Sequence, residues 1–178
     1  MPRLFTGLEI PAEIGQQLST LRGGLPGARW VDPANYHITL RFIGDIDEGL
    51  AGDIYAMLGE ARRRGPLTIT LDRLESFGGG RPRAVFARAV PTGELQEIQA
   101  EQERILRRVG LTPETRKFTP HVTLARLRDT SSLDVAHYIG MRGQFPKLSF
   151  VAQRFVLFSA RDSVGGGPYV VEAAYPLG

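Results

Sequence analysis

The chain has 178 residues, 42% hydrophobic and 23% charged, which excludes a disordered polymer and allows one compact domain with a substantial core. It has no cysteine, so neither disulfides nor thiolate metal sites can form. Its net charge is only +3, although 20 of the 22 basic residues are arginine, the side chain best shaped to fork onto phosphate. No apolar run approaches the roughly 18 residues needed to span a bilayer, and the start, MPRLFTGLEI, lacks a basic segment followed by a long apolar one. The expectation is a soluble cytoplasmic protein, one domain over residues 1–178, with no membrane partner.

In chain order, apolar spacing predicts strands and helices that nearly repeat. Residues 3–10 read as a strand, Ile14, Leu18 and Leu21 recur at helical spacing, and residues 36–43 (YHITLRFI) alternate as a half-covered strand does. A helix is predicted near 48–63, with Leu50, Ile54, Met57, Leu58 and Ala61 turned inward, and a strand at 67–74. The second half repeats the order. Residues 84–90 are a strand, Leu95, Ile98, Ile105, Leu106 and Val109 mark a helix, and the strand carrying His121 follows. A short helix near 131–140 and strand-like runs at 148–160 and 169–177 complete the chain. Each half thus offers strand, helix, His-x-Thr strand, helix, strand. This predicts an α+β fold of two related lobes, each an antiparallel sheet flanked by helices about a pseudo-twofold axis, with the site in the central cleft.

The repeat is sharpest in HITL (37–40) and HVTL (121–124). With 11 Thr and 20 Leu in the chain, x-Thr-Leu after a given His is a rare accident, yet two of the three histidines obey it. In a strand, residues i and i+2 share a face, so each motif presents an imidazole beside a hydroxyl, anchored by Ile38, Leu40, Val122 and Leu124 on the other side. Two such strands make a four-point claw. One His takes a proton from water while the other gives one to a leaving oxygen, and Thr39 and Thr123 donate hydrogen bonds to non-bridging phosphate oxygens. Imidazoles titrate near neutrality, which predicts a bell-shaped pH dependence with both limbs there. No metal and no cofactor are expected, because two His without a neighbouring carboxylate at ligand spacing make a poor metal site.

These motifs, with LFTGLEIP at the start, RWVDPANYHITLRFIGDI, RKFTPHVTLARL and the closing GGGPYVVEAAYPL, resemble the two-histidine phosphoesterase superfamily, and within it the bacterial RNA 2′,3′-cyclic phosphodiesterases, historically called 2′-5′ RNA ligases. The resemblance runs essentially end to end. It implies hydrolysis of a terminal 2′,3′-cyclic phosphate to a 2′-phosphate, with His37 and His121 as the catalytic pair and Thr39 and Thr123 as phosphate ligands. His121 would be the base for water and His37 the acid for the departing 3′ oxygen. The implied partner is an RNA 3′ end bearing the cyclic phosphate, met by a monomer; ATP-independent ligation of 2′-5′ ends would be a side activity. The resemblance also sets Arg126 near the phosphate, whereas regular alternation turns a residue five beyond His121 to the opposite face unless the strand bulges.

Other residues carry less. Arg41 shares parity with His37 and Thr39 and is a candidate for the cleft wall, though a solvent-facing arginine is the commoner case. His137 lacks the Thr and lies on a helix, so it reads as structural or exposed. FGGGRPR (77–83) reads as a turn between the lobes with a basic rim, VGGGPY (164–169) as a hairpin, and Phe5, Trp30, Tyr36 and Phe42 as core residues with a base-stacking ring among the options. Two other functions fit the same residues. One is a non-catalytic RNA- or nucleotide-binding module; the other is a hydrolase of small cyclic nucleotides such as ADP-ribose cyclic phosphate.

Overall fold

The chain was analysed as a computed structural model that describes residues 3–142, 144–160 and 168–178. Its elements are β1 (Arg3–Glu9), α1 (Ala12–Ser19), β2 (Ala28–Trp30), a single 3-10 turn (Pro33–Asn35), β3 (His37–Asp45), α2 (Glu48–Leu58), β4 (Leu67–Phe77), β5 (Ala84–Ala89), α3 (Gly93–Arg108), β6 (His121–Leu127), α4 (Ser132–Met141), β7 (Leu148–Ala152), β8 (Arg154–Ser159) and β9 (Val170–Pro176). The predicted hairpin at 164–169 lies mostly outside the described residues.

Local chemistry sets the helix starts. Asp47, Thr92 and Ser131 each accept a hydrogen bond from the backbone N–H three residues on, capping α2, α3 and α4. The longest helix, α3, buries Leu95, Ile98, Ile105 and Leu106 as predicted, and closes the gap in that stripe with Gln102. Gln102 is buried there: the Thr6 hydroxyl of β1 donates to its Oε1 at 2.6 Å, while its Nε2 has no partner among the described residues.

Among the described residues, all nine strands belong to one antiparallel sheet in the order β7-β4-β5-β6-β3-β1-β8-β9, with β2 paired to β6 off that path. The two expected sheets are its two wings. One wing is β7-β4-β5-β6 and the other β3-β1-β8-β9, and they meet at the pair Ile38–Val122 on β3 and β6. Membership differs from the half-by-half expectation. β4 leaves the first half to pair with β5 through a tight hairpin at Gly78, where a side chain would run into the Arg81 carbonyl. The run 77–83 is therefore a turn within one wing, held by Arg83 N–H donating to Phe77 O at 2.9 Å. The β1 edge that β4 leaves open is filled by β8 and β9.

The run 148–160 is two strands, broken at Gln153, that serve opposite wings. Only one residue separates β7 from β8, so the ends of the sheet curl back to within a residue or two of each other. That corner is stitched by Leu177 N–H donating to Gln153 O at 2.9 Å, and by the Arg64 and Gly65 N–H groups donating to Leu177 O at 2.8 and 2.6 Å.

Candidate active site

The strands β3 and β6 have the same pattern of exposure over their first seven residues: half-buried, buried, half-buried, buried, buried, exposed, half-buried. The pattern follows from their pairing. On β3, Glu9–His37, Gly7–Thr39, Thr6–Arg41 and Phe5–Phe42 are partners; on β6, Arg88–His121, Phe86–Thr123, Val85–Ala125 and Ala84–Arg126 are. The β5–β6 ladder skips Leu124, and the β1–β3 ladder skips Leu40 and then Ile43; the bulge at each leucine reverses the alternation just beyond it. Imidazole and hydroxyl share the cleft face in each motif, as period-two spacing predicts.

Beyond the bulge, strand parity fails in both motifs, with opposite outcomes for the two arginines. Arg41 turns away from the cleft and is 7% exposed, its Nε donating to Glu103 at 2.6 Å and its Nη2 to the Thr112 carbonyl at 2.6 Å. It belongs to the packing of α3, neither to the cleft wall nor to solvent. Arg126 turns onto the cleft face, and its charge acts on both histidines. Phe42 occupies the corresponding place in the first wing and is 44% exposed. Of the four aromatic residues singled out in the sequence, Tyr36 is buried, Phe5 packs under His37, and Trp30 leans on Tyr138. His137 lies exposed on α4.

Both imidazoles are held in the same way. Nδ1 of His37 donates to the Asn35 carbonyl at 2.9 Å and Nδ1 of His121 to the Thr119 carbonyl at 2.6 Å, each two residues upstream. This fixes one tautomer and leaves both Nε2 atoms as acceptors. Nε2 of His37 receives the Thr39 hydroxyl at 3.0 Å. The floor is aromatic. His37 lies 5.0 Å from Phe5, 5.5 Å from Phe158 and 4.9 Å from Tyr169, and His121 lies 4.9 Å from both Phe77 and Phe86, between ring centroids. Gly7, opposite Thr39, makes this close packing possible, since a Cβ there would lie 2.6 Å from the Ile38 carbonyl and 3.1 Å from Phe158.

Burial against these rings pushes His37 down from 6.5 to about 4; its hydrogen bond to Asn35 opposes the shift, and the charges of His121 and Arg126 add to it. Burial likewise lowers His121, again opposed by its backbone hydrogen bond and assisted by Arg126. Both shifts run downward from the near-neutral titration expected from the sequence, that of His37 to about 4. Of the floor residues, sequence reasoning had singled out only Phe5. Phe86 and Phe158 sit in the unbroken apolar runs AVFA and VLF, which signal strands covered on both faces but do not show which ring underlies a histidine. Among the described residues no group of three or more His, Asp or Glu comes together.

Paired imidazoles and paired hydroxyls on neighbouring strands of a two-winged antiparallel sheet define a two-histidine phosphoesterase. The chain belongs to the LigT-like phosphoesterase family, whose model matches residues 8–86 and 88–169. An RNA 2′,3′-cyclic phosphodiesterase of Bacillus subtilis is 30% identical over 162 residues, 88% of this chain and 87% of the relative. One from Aeropyrum pernix is 41% identical over 112 residues, and that match spans only 62% of each chain. Among solved structures, Escherichia coli LigT complexed with 3′-AMP superposes with a TM-score of 0.79 at 26% identity, covering 99% of both chains.

Proposed function

We propose that this protein hydrolyses the 2′,3′-cyclic phosphate at an RNA 3′ end to a 2′-phosphomonoester, by acid–base catalysis between His37 and His121 and without a metal ion. The observation that carries the proposal is the matched Nδ1 hydrogen bonds, which leave both Nε2 atoms on the cleft face. The names of the relatives from Bacillus subtilis and Aeropyrum pernix support the reaction class.

In-line attack on the cyclic diester needs water on one side of phosphorus and the 3′ oxygen on the other. His121 takes the proton of the attacking water, and His37, as imidazolium, protonates the 3′ oxygen as the P–O3′ bond breaks. Thr39, Thr123 and Arg126 take the non-bridging oxygens, where charge shifts in the transition state. Thr39 already points its hydroxyl at Nε2 of His37, so substrate would draw that hydrogen bond onto phosphate and free the nitrogen for proton transfer. Phe42, exposed on the cleft face, offers a ring to the terminal base. The wings act together as one domain in this reading, because the two strands that hold the acid and base come from different wings.

The test is to incubate the protein with an oligonucleotide ending in a 2′,3′-cyclic phosphate in excess chelator and to follow the product by phosphorus NMR. The expected result is full turnover to a 2′-phosphate. Loss of activity that added metal restores would support a metallohydrolase instead. A 3′-phosphate product would mean that the diester binds the other way round, and tight binding without turnover would support an RNA-binding module.

A further inference from the structure

The wings match in backbone but not in charge. Glu9 faces His37 across β1–β3 just as Arg88 faces His121 across β5–β6. Arg154 holds the Glu9 carboxylate at 2.7 and 3.0 Å, and Asp72 holds Arg88 at 3.2 Å. Beside Arg88 a cavity of about 650 Å³ opens between the first turns of α3 and the segment that leads into β6. That volume is within the range of small-ligand pockets.

Its walls suit a nucleotide. Phe118 and Ala100 are apolar, Gln96 and Gln99 bring side-chain amides, and Arg88 and Lys117 bring positive charge. The one carboxylate in the wall, Glu97, is occupied by Arg104 at 3.0 Å and Arg64 at 3.4 Å, and Lys117 has no carboxylate partner among the described residues. The cavity is continuous with the catalytic strand, since Thr119, whose carbonyl holds His121, forms part of its wall. It also lies at Phe42's end of the cleft. β3 and β6 are antiparallel about Ile38–Val122, so β3 runs from His37 toward Phe42 as β6 is followed back toward Phe118.

We propose that this cavity receives the nucleotide immediately 5′ of the cyclic phosphate, its backbone phosphate on Arg88 and Lys117 and its base against Phe118. The protein then selects an RNA end over a lone cyclic mononucleotide. The proposal rests on the hydrolase reading above and deepens it by naming the substrate's second residue and the direction in which the chain leaves the cleft: over the His121 wing, away from Glu9.

The experiment compares adenosine 2′,3′-cyclic phosphate with diadenylate carrying the same cyclic end, in wild type and in Lys117→Ala and Ala100→Trp. Wild type should favour the dinucleotide by about tenfold in kcat/KM, mostly through KM. Both variants should erase that preference, and Ala100→Trp should leave the mononucleotide within about twofold of wild type. Equal kcat/KM for the two substrates in wild type, or equal losses on both in the variants, overturns the proposal. Equilibrium binding of the 2′-phosphorylated diadenylate is measured alongside and needs no turnover. If wild type hydrolyses neither substrate, the hydrolase reading fails, yet weaker dinucleotide binding by Ala100→Trp still supports the cavity assignment. Unchanged binding by that variant overturns it.

Discussion

Phe42 stands in the first wing where Arg126 stands in the second: each is two residues past a bulged leucine, exposed, and on the cleft face. The backbone is symmetric and the chemistry is not, so the two positions should fail differently when cut back. Arg126→Ala removes the charged donor proposed to meet phosphate and should lower kcat about 10²-fold, with Arg126→Lys recovering part of the loss. Phe42→Ala should instead raise KM for nucleotide substrates about tenfold with kcat nearly unchanged. Steady-state kinetics decide the matter, and a Phe42→Ala defect confined to kcat would remove the ring from substrate binding.

Replacing either histidine by alanine should lower turnover about 10² to 10⁴-fold while the circular dichroism spectrum stays native. The two variants are told apart by the leaving group. An activated 3′ leaving group needs no acid, so it should rescue His37→Ala and leave His121→Ala inactive. The opposite rescue would exchange the roles.

The lowered pKa values make the pH profiles specific. Above about pH 6.5 both imidazoles of the empty enzyme are neutral, and the productive pair needs one proton. The alkaline limb of kcat/KM should therefore lie below pH 6.5. A bound diester anion favours the imidazolium, so the alkaline limb of kcat should sit at least about one pH unit higher. Coincident limbs near pH 7 or above would contradict the burial described for His37.

The same burial links pH to stability. An unfolded His37 binds its proton near pH 6.5, and the native one only near pH 4. The unfolded state thus holds the extra proton between those values, and stability falls as pH drops from about 6.5 toward 4, by on the order of 2 kcal/mol. Urea midpoints at pH 7 and 4.5 should show a smaller drop in His37→Gln than in wild type.

Arg41 is the stability test. Burial alone would raise the Glu103 carboxyl, but hydrogen bonds from Arg41, the Glu114 N–H and Arg107 outweigh it and leave its pKa lowered. Arg41→Met would leave that carboxylate only Arg107 and the Glu114 N–H and would remove the donor to the Thr112 carbonyl, and should cost about 2 kcal/mol, read as a fall in Tm. Catalysis at low temperature should be largely retained, because Arg41 faces away from the cleft.

The sequence held the claw because His-x-Thr needs only the two-residue period of a strand, and nothing interrupts that period between His37 and Thr39 or between His121 and Thr123. It could not show where the period breaks. The bulges at Leu40 and Leu124 are visible only in the partner strands, at Thr6–Gly7 and Val85–Phe86. They sent Arg41 inward and Arg126 outward, the reverse of simple alternation. Wing membership was hidden for a similar reason, since Gln153, one residue in an otherwise strand-like run, gives no local sign that the chain changes wings there. The depressed histidines depend on five rings brought in by separate strands and by Tyr169, and no short stretch of sequence contains them.

The exchange of strands between wings also governs the order in which the protein can be made. The wing carrying His121 takes all its strands from residues 67–152, the β4–β5 hairpin forming locally and β7 returning to pair with β4 at Leu67–Ala152. The wing carrying His37 joins β1 and β3 to strands drawn from residues 154–176, separated from them by the whole of the other wing. On the ribosome the first catalytic strand to be synthesised is therefore the last to be completed. Until β8 arrives, β1 presents an open edge and His37 lacks the Phe158 ring that strips its water, so the proposed acid–base pair comes into being only as the final strands dock.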